Sequence, residues 1–320
     1  MTDLVAEPVT LGRRRAAPAG GAVGGAGDPS SSDPATLDPV VLDGALAVLR
    51  RRLVELGAVV VGFSGGADSA LLAAVAHDVL GVDGCTAVTA VSASLPVEEL
   101  EHCRSVAAEL GLSWTTVETN ELADPQYVAN DGDRCARCKD ALLDAVDALP
   151  LVAGATVVLG VNVDDLGDHR PGQAAAAARG AVFPLVDAGF TKAMVREVSR
   201  RLGLPTWDKP AAACLSSRVP YGTAVTAPVL AGIDRAEAAL HALGFLEVRV
   251  RHYDDTARLE VPLDALAEVV ARRDEVVAAV RSGGYRYVTL DLEGLRSGNL
   301  NAALTDGHPP PPLVPASTDS

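Results

Sequence analysis

Apolar residues recur along the chain in two patterns, one typical of helices and the other of buried strands. Leucines at positions 42, 46, 49, 53 and 56 fall at helical spacing, and a short, continuous apolar run over residues 58–63 predicts a buried strand. The further predicted strands are 86–91, 114–117, 156–161 and 182–185. The predicted helices that separate them are 70–80, 97–110, 138–149 and 192–202.

This alternation of strands and helices predicts an α/β fold, a parallel sheet with helices on both faces. After a loop over residues 205–226 the pattern changes to helix 229–243, strands 246–252 and 257–261, helix 263–280 and strand 285–290. We therefore predict a main domain over 38–222 and a smaller α+β domain, for substrate binding or oligomerisation, over 223–295. Residues 1–37 and 296–320 lack such patterns and are predicted to be mostly disordered tails.

Composition and charge narrow the function classes. Aromatic residues make up only 3% of the chain, so Val, Leu, Ile and Ala must fill the core. The net charge of −15 argues against a nucleic-acid partner, because such binding normally needs a basic face. We read neither a signal peptide nor a membrane span, and expect a cytoplasmic protein. An odd count of five cysteines argues against a disulfide framework.

The first chemical motif is the hexapeptide Ser64-Gly65-Gly66-Ala67-Asp68-Ser69, between a predicted strand and a predicted helix. Free backbone N–H groups and the positive end of a helix can hold a phosphate there. The glycines allow close approach, and Ser64 and Ser69 add hydroxyl donors. Asp68 suits a bridging Mg²⁺. The hexapeptide therefore predicts an ATP site, and no Walker-type motif is present.

A second polar segment follows the predicted strand 156–161. It contains Asn162, Asp164, Asp165 and Arg170. Ligands collect at the carboxyl ends of strands in open parallel sheets, so we assign these four residues to the nucleotide site. The alternative is a solvated acidic loop.

The third motif is the segment LPTWDKPAAACLSSR at 204–218, which carries Lys209, Cys214 and Arg218. The hexapeptide is similar to the signature of the PP-loop ATP-pyrophosphatases, whose fold is adenine nucleotide α-hydrolase-like. Taken together, the three motifs resemble the LarE family, the ATP-dependent sulfur transferases of nickel-pincer nucleotide cofactor biosynthesis. The likeness runs from about residue 42 to about residue 295.

This resemblance implies a reaction in two parts. The carboxylate of a pyridinium-dicarboxylate mononucleotide attacks the α-phosphorus of ATP, pyrophosphate leaves, and sulfur then displaces AMP to give a thiocarboxylate. It also implies that Cys214 carries the sulfur and that Asp68 serves catalysis. Lys209 and Arg218 flank Cys214 in the sequence, where positive charges would lower a thiolate pKa or hold the substrate phosphate.

The family uses two sulfur donors, and the sequence leaves the choice open. In one, Cys214 gives up its own sulfur and becomes dehydroalanine. In the other, which we favour, three cysteines hold a [4Fe–4S] cluster that passes on a sulfide. Cys135 and Cys138 stand three residues apart, so at a helix start they share a face and could act as ligands with Cys214. A zinc site or a structural role is the third possibility.

The smaller domain supplies a candidate for substrate recognition. Arg249 and Arg251 alternate along a predicted strand and would share one face, able to bind a phosphate or carboxylate together. An exposed basic strand is the alternative. The resemblance favours substrate binding for both arginines and a divalent-metal role for Glu260.

Other interpretations remain at this point. A tRNA-thiolating PP-loop enzyme is disfavoured by the charge of −15. An amidating ligase has no use for three such cysteines, and a non-catalytic metal-binding or interaction protein would not need an intact hexapeptide. We expect a small-molecule nucleotide substrate and, from the resemblance, a homo-oligomer.

Overall fold

The computed structural model describes residues 37–149, 154–167, 171–210 and 212–296. Its strands are β1 (Val59–Gly62), β2 (Cys85–Val91), β3 (Trp114–Glu118), β4 (Thr156–Leu159), β5 (Arg249–Tyr253), β6 (Thr256–Glu260) and β7 (Tyr287–Leu290). Its helices are α1 (Pro39–Leu56), α2 (Ala67–Gly84), α3 (Val97–Glu109), α4 (Pro125–Ala129), α5 (Arg134–Asp147), α6 (Pro171–Ala178), α7 (Pro184–Asp187), α8 (Lys192–Leu202), α9 (Ala227–Ala242), α10 (Leu266–Ala271) and α11 (Arg273–Ser282). The predicted tails lie outside these residues, apart from Leu37 and Arg296.

The first sheet is parallel throughout, in the order β3-β2-β1-β4, which confirms the predicted α/β class. Successive residues of a strand point to opposite faces. Val59 and Val61 accordingly pack in a core with residues of α1, α2 and α8. Val60 points the other way and packs with residues of α5 and α6. Both faces of β1 are buried, as its continuous apolar sequence requires.

The second sheet has the order β5-β6-β7. Its first two strands form an antiparallel hairpin, and β7 runs parallel to β6. Val250, Ala257 and Leu259 point to one face, where residues of α9 and α11 complete a core. Tyr127 and Leu215, from the earlier part of the chain, belong to the same core. The domain boundary between residues 222 and 223 stays a prediction.

Two predicted elements were wrong. Residues 182–185 do not form a strand: Val182 makes a single parallel bridge to Val158, and Pro184 then begins α7. Proline suits the first turn of a helix and cannot donate to a sheet, so its position ends the extended segment. The predicted helix 263–280 is divided into a 3₁₀ turn, α10 and α11, with Arg272 in a non-helical conformation between the two helices.

Helix α8 begins at a defined residue, which matters for the site. The Thr191 hydroxyl accepts a hydrogen bond from the Met194 amide at 3.3 Å, an N-cap that makes Lys192 the first helical residue. Gly203, with φ of 72°, ends the helix in the left-handed conformation. None of the described helices is long and apolar enough to cross a bilayer.

Gly160, directly after β4, lies against the start of α2. A Cβ atom at this position would come within 2.8 Å of the Ser69 amide nitrogen and 2.9 Å of the Asp68 carbonyl carbon. Both contacts are with backbone atoms, which cannot rotate away. Glycine is therefore required for the end of β4 to approach the residues that follow β1.

We predict that Gly160→Ala lowers the free energy of unfolding by about 1–3 kcal/mol, the usual cost of overpacking. Chemical denaturation of the purified variant would measure it. Gly44→Ala is the matched control, because Gly44 is exposed within α1 and its Cβ would meet no atom within 4 Å. That change should stabilise the protein by about 0.5–1 kcal/mol. Equal effects of the two substitutions would contradict the close approach.

Candidate active site

The hexapeptide at 64–69 connects β1 to α2 at the carboxyl edge of the first sheet. The Ser64 amide and hydroxyl lie 3.2 Å and 3.1 Å from the Ser69 hydroxyl oxygen, which also donates to the Gly66 carbonyl at 3.2 Å. These bonds close the loop on itself. Gly65 has φ of 68°, the left-handed region that favours glycine.

The loop ends at the amino terminus of α2, with Gly66 as the N-cap. The first amides of a helix have no partner within it, and the helix dipole is positive at this end. Together they form a site for an anion such as a phosphate group. The geometry therefore agrees with what the hexapeptide predicts.

Asp68, in the first turn of α2, is held by groups from two other segments. Its Oδ2 lies 2.5 Å from the Lys192 ammonium, and its Oδ1 accepts from the Asn162 Nδ2 at 3.0 Å. Asn162 follows β4 and Lys192 begins α8. The adjacency of β1 and β4 brings the three residues together.

The acidic loop after β4 completes this arrangement. Asn162 Oδ1 accepts from the amides of Asp164 and Asp165 at 3.0 Å and 3.3 Å. Asp165 accepts from the Asn162 amide at 3.1 Å, and Asp164 accepts from the Lys192 amide at 2.8 Å. Three of the four residues assigned to this segment thus lie beside the hexapeptide at 64–69, which we call the phosphate loop. The fourth, Arg170, lies outside the described residues.

Lys192 is the residue that the sequence analysis missed. A cation in the first turn of a helix opposes the helix dipole, so it costs free energy unless a local anion compensates. No acidic residue lies in the first turn of α8, and Asp68 and Asp164 supply the compensation instead. The sequence signal that could have identified Lys192 is its position directly after Thr191, the N-cap of the helix.

Cys214 lies on an exposed loop before the 3₁₀ turn Leu215–Arg218. The Leu215 amide donates to the Ser94 carbonyl at 2.9 Å, which ties the loop to the segment after β2. The buried Arg218 donates through Nη1 to the Cys214 carbonyl at 3.3 Å. Both oxygens of Glu237 accept from the same guanidinium at 3.0 Å. These contacts anchor the backbone beside an accessible thiol.

Lys209 does not flank the thiol in the way its sequence position suggests. Its ammonium lies 2.7 Å from Glu99 in α3. Arg218 is likewise paired, with Glu237. A cation already neutralised by a carboxylate has little charge left to stabilise a neighbouring thiolate. The predicted activation of Cys214 by these two cations is therefore not supported by their contacts.

Cys135 lies in the first turn of α5 and is exposed, and Cys138 begins the second turn and is half-buried. Cys138 Sγ donates to Glu121 Oε1 at 3.6 Å. The pKa of Cys138 is raised to about 12, mainly by burial and in part by the charges of Glu121, Cys214 and Cys135, while Lys139 has the opposing effect. The three cysteines thus lie within electrostatic range. However, no three Cys, His, Asp or Glu side chains of the described residues could hold a metal ion together.

The arginines of β5 have different environments although they share a face of the second sheet. Arg251 is buried and donates to Glu260 Oε2 at 2.7 Å and to the Ser217 carbonyl at 2.6 Å. Arg249 is half-buried and donates to the Arg296 carbonyl at 3.0 Å. Burial and the neighbouring arginines lower the pKa of Arg249.

Glu260, predicted as a metal ligand, is fully buried and bound by Arg251 and Arg258 at 2.7 Å and 3.1 Å. Two guanidinium groups already compensate its charge. A divalent cation would have to displace them, so a metal role for Glu260 does not agree with this geometry.

Comparisons with known proteins place the chain among PP-loop enzymes. A family model described as NAD synthase matches residues 45–134, which include the phosphate loop. The chain is 46% identical over 260 residues to an uncharacterized protein of Synechocystis sp., covering 80% of this chain and 97% of the relative. It is 39% identical over 260 residues to pyridinium-3,5-bisthiocarboxylic acid mononucleotide synthase of Lactiplantibacillus plantarum, covering 81% and 94%. An uncharacterized protein of Methanocaldococcus jannaschii is 24% identical over 243 residues.

The cysteine environments predict an order of chemical modification. At about pH 8, iodoacetamide should alkylate the exposed Cys135 and Cys214 well before Cys138, because the thiolate is the reactive form. Peptide mass spectrometry against time would measure the rates. The buried Cys85, whose pKa burial raises to about 11, is the internal control for unreactive thiols.

Glu121→Gln should speed the modification of Cys138, because it removes a negative charge that opposes thiolate formation. The rates at Cys135 and Cys214 should change less. Equal alkylation of all three cysteines in the unchanged protein would contradict these environments.

Proposed function

Because this chain belongs to the LarE family, we propose that it activates a carboxylate of a pyridinium-dicarboxylate mononucleotide with ATP and converts it to a thiocarboxylate. The chain is an ATP-using sulfurtransferase of the PP-loop class. One observation carries the proposal. At the carboxyl edge of the first sheet, Lys192 contacts Asp68 of the glycine-containing phosphate loop. The synthase of L. plantarum bears the name of the corresponding product.

In the first half-reaction the phosphate loop would hold the terminal phosphates of ATP. The amides at the start of α2 and the hydroxyls of Ser64 and Ser69 are the donors for the phosphate oxygens. The substrate carboxylate oxygen forms a bond to the α-phosphorus as the bond to the pyrophosphate oxygen breaks. Donors that hold pyrophosphate stabilise the charge that develops on this leaving group.

Asp68 fits a Mg²⁺ ion, because this cation is usually held by one or two carboxylates together with substrate phosphates. Bound Mg²⁺ would neutralise charge on the departing pyrophosphate. Asp68 would hold the ion, and Asn162 orients the carboxylate through its Nδ2. We further propose that Lys192, which pairs with Asp68 in this structure, would donate to a phosphate oxygen of bound ATP. Its side chain is about one-third exposed, at 34%, so it can exchange partners without crossing a packed core.

The second half-reaction needs a sulfur nucleophile, and we propose that sulfur passes through Cys214. Its thiolate would attack the acyl carbon of the adenylate, and the bond from that carbon to the phosphate oxygen would break to release AMP. Removal of the cysteine α-proton and cleavage of its Cβ–S bond would then leave dehydroalanine and a free thiocarboxylate. The exposed thiol on an anchored loop supports this role.

A cluster-bound sulfide is the other donor that the family uses. The three cysteines do not fit a cluster as they are arranged here. The Cys138 thiol is hydrogen-bonded to Glu121, and the described residues contain no group of three side chains placed to hold a metal ion. We therefore derive no step through a cluster. The influence of Cys135 and Cys214 on Cys138 is the observation that keeps this alternative under test.

The nucleotide substrate carries a phosphate, for which we propose Arg249 as a ligand and Arg251 as its support. Arg249 is half-buried, and its guanidinium contacts a backbone carbonyl rather than a carboxylate. Arg251 has a buried Nε without a hydrogen-bond partner in the described part of the chain. A buried donor of this kind costs free energy unless a ligand satisfies it.

The test of the ATP half-reaction is pyrophosphate release by the Asp68→Ala and Lys192→Ala variants. Each should reduce the single-turnover rate constant for pyrophosphate release by about 100-fold or more, the usual loss when one charge-stabilising group is removed. Arg200→Ala is the control, because Arg200 lies on the same helix as Lys192 but is exposed and pairs with Glu197 on the surface. An undiminished rate of pyrophosphate release in both site variants, with a normal melting temperature, would refute the assignment.

The test of the sulfur donor is a set of three single Cys→Ala variants prepared without oxygen. If Cys214 is the donor, Cys214→Ala alone should abolish thiocarboxylate formation. The unchanged protein should then become lighter by the mass of one H₂S during reaction, as intact mass spectrometry would show. Brown protein whose colour and sulfur transfer disappear in each of the three variants would instead establish the cluster.

A further inference from the structure

Helix α3 contacts the phosphate loop at its glycine turn. The His102 Nε2 lies 3.1 Å from the Gly65 carbonyl oxygen. A Cβ on Gly65 would come within 2.9 Å of Cys103 Sγ and 3.1 Å of His102 Cδ2. The turn is therefore packed directly on α3, and the Gly65 carbonyl meets a ring nitrogen of that helix.

The direction of this hydrogen bond is settled by the chemistry of the two groups. A carbonyl oxygen can only accept, so His102 Nε2 carries the proton and donates. Burial, and then the nearby Lys209 charge, lower the pKa of His102, which is therefore a neutral Nε2–H tautomer at neutral pH. Nε2 also carries a proton in the imidazolium form, so His102 can donate this hydrogen bond both above and below its pKa.

The bond has a consequence for the opposite side of the same peptide group. In a trans peptide the C=O of one residue and the N–H of the next point in opposite directions. None of the described peptide bonds is cis. When the Gly65 carbonyl points to α3, the Gly66 N–H must therefore point away from α3. Gly66 is the N-cap of α2, so this N–H is one of the amides that an anion would meet.

A peptide group between two glycines is unusually free to rotate, because neither residue has a Cβ. If this peptide flipped, the carbonyl oxygen of Gly65 would face the bound phosphate in place of the amide. An acceptor facing an anion repels it. The loop therefore needs a contact that selects one orientation. Within the described part of the chain, the side-chain hydrogen bond to Gly65 comes from His102.

We propose that His102 is a positioning residue that locks the Gly65–Gly66 peptide with its N–H directed at the terminal phosphates of ATP. This inference rests on the proposed function of the loop and adds a residue from outside it. Glu99, His102 and Cys103 lie on one face of α3 by their spacing, and Glu99 binds Lys209 at 2.7 Å, which secures that face. The ligand concerned is the pyrophosphate portion of ATP rather than its adenosine.

The experiment uses pyrophosphate and AMP as separate probes in isothermal titration calorimetry, with Mg²⁺ present. His102→Ala should weaken pyrophosphate binding about 3–10-fold, the value of roughly one net hydrogen bond, and leave AMP binding unchanged. In single-turnover measurements of pyrophosphate release, the half-saturating concentration of ATP should rise by the same factor, while that of the nucleotide substrate should not. A merely loosened fold would weaken both probes.

Two further variants make the comparison specific. His102→Gln can place an amide N–H near the Nε2 position and should restore pyrophosphate binding, whereas His102→Asn, whose amide is shorter, should not. If His102→Ala fails to fold, the Gln and Asn pair carries the same test. His241→Ala is the control, because His241 also contacts α3, through Glu98 at 2.5 Å, but forms no hydrogen bond with residues 64–69 in the described part of the chain.

The outcomes separate this inference from the proposed function. Equal loss of pyrophosphate and AMP affinity in His102→Ala, or no loss of either, overturns the positioning role while the ATP site stands. If the unchanged protein binds neither ATP nor pyrophosphate, the proposed function fails and the inference fails with it. Weaker pyrophosphate binding alone, restored by Gln, supports the proposal.

Discussion

The carboxylate of Asp68 is compensated by the Lys192 ammonium and the Asn162 amide, and most of the site geometry follows from this contact. Three separate segments must meet for it to form: the start of α2, the loop after β4 and the start of α8. The close packing of Gly160 on α2 allows that meeting. With side-chain exposures of 34% and 19%, the ion pair can order the site and still exchange with a bound cation or phosphate.

A second set of charges connects the loop that carries Cys214 to the smaller sheet. Arg218 and Glu237 form a buried, bidentate ion pair, and the Val250 amide also donates to Glu237 at 2.8 Å. Removing one partner of such a pair typically costs about 3–5 kcal/mol, because a charge is left buried. The Leu215 amide meanwhile donates to Ser94, beyond β2. The backbone at Cys214 is thus held by both sheets, which suits a nucleophile that must meet an adenylate at a fixed distance.

The fold class could be predicted because apolar periodicity is a local property. Strands in the interior of a parallel sheet read as largely apolar runs, and β1, β2 and β4 were found where such runs occur. The more polar β3 lies at the edge of the sheet. The strand prediction for residues 182–185 was wrong because a short apolar run does not distinguish a strand from the start of a buried helix. Pro184, which begins α7, favours the helix. The turn formed by the hexapeptide could likewise be predicted, since its residues act together within one contiguous segment.

The sequence by itself determined the parallel α/β sheet, the phosphate loop and the residue types available for sulfur chemistry. Only the tertiary structure decided which charges are free to act. Lys209 and Arg218 stand close to Cys214 along the chain, yet they bind Glu99 and Glu237. Lys192, more than 100 residues from Asp68, is the cation that reaches the phosphate loop. The reason is that an ion pair depends on distance in space and on burial, and neither quantity is encoded in sequence spacing.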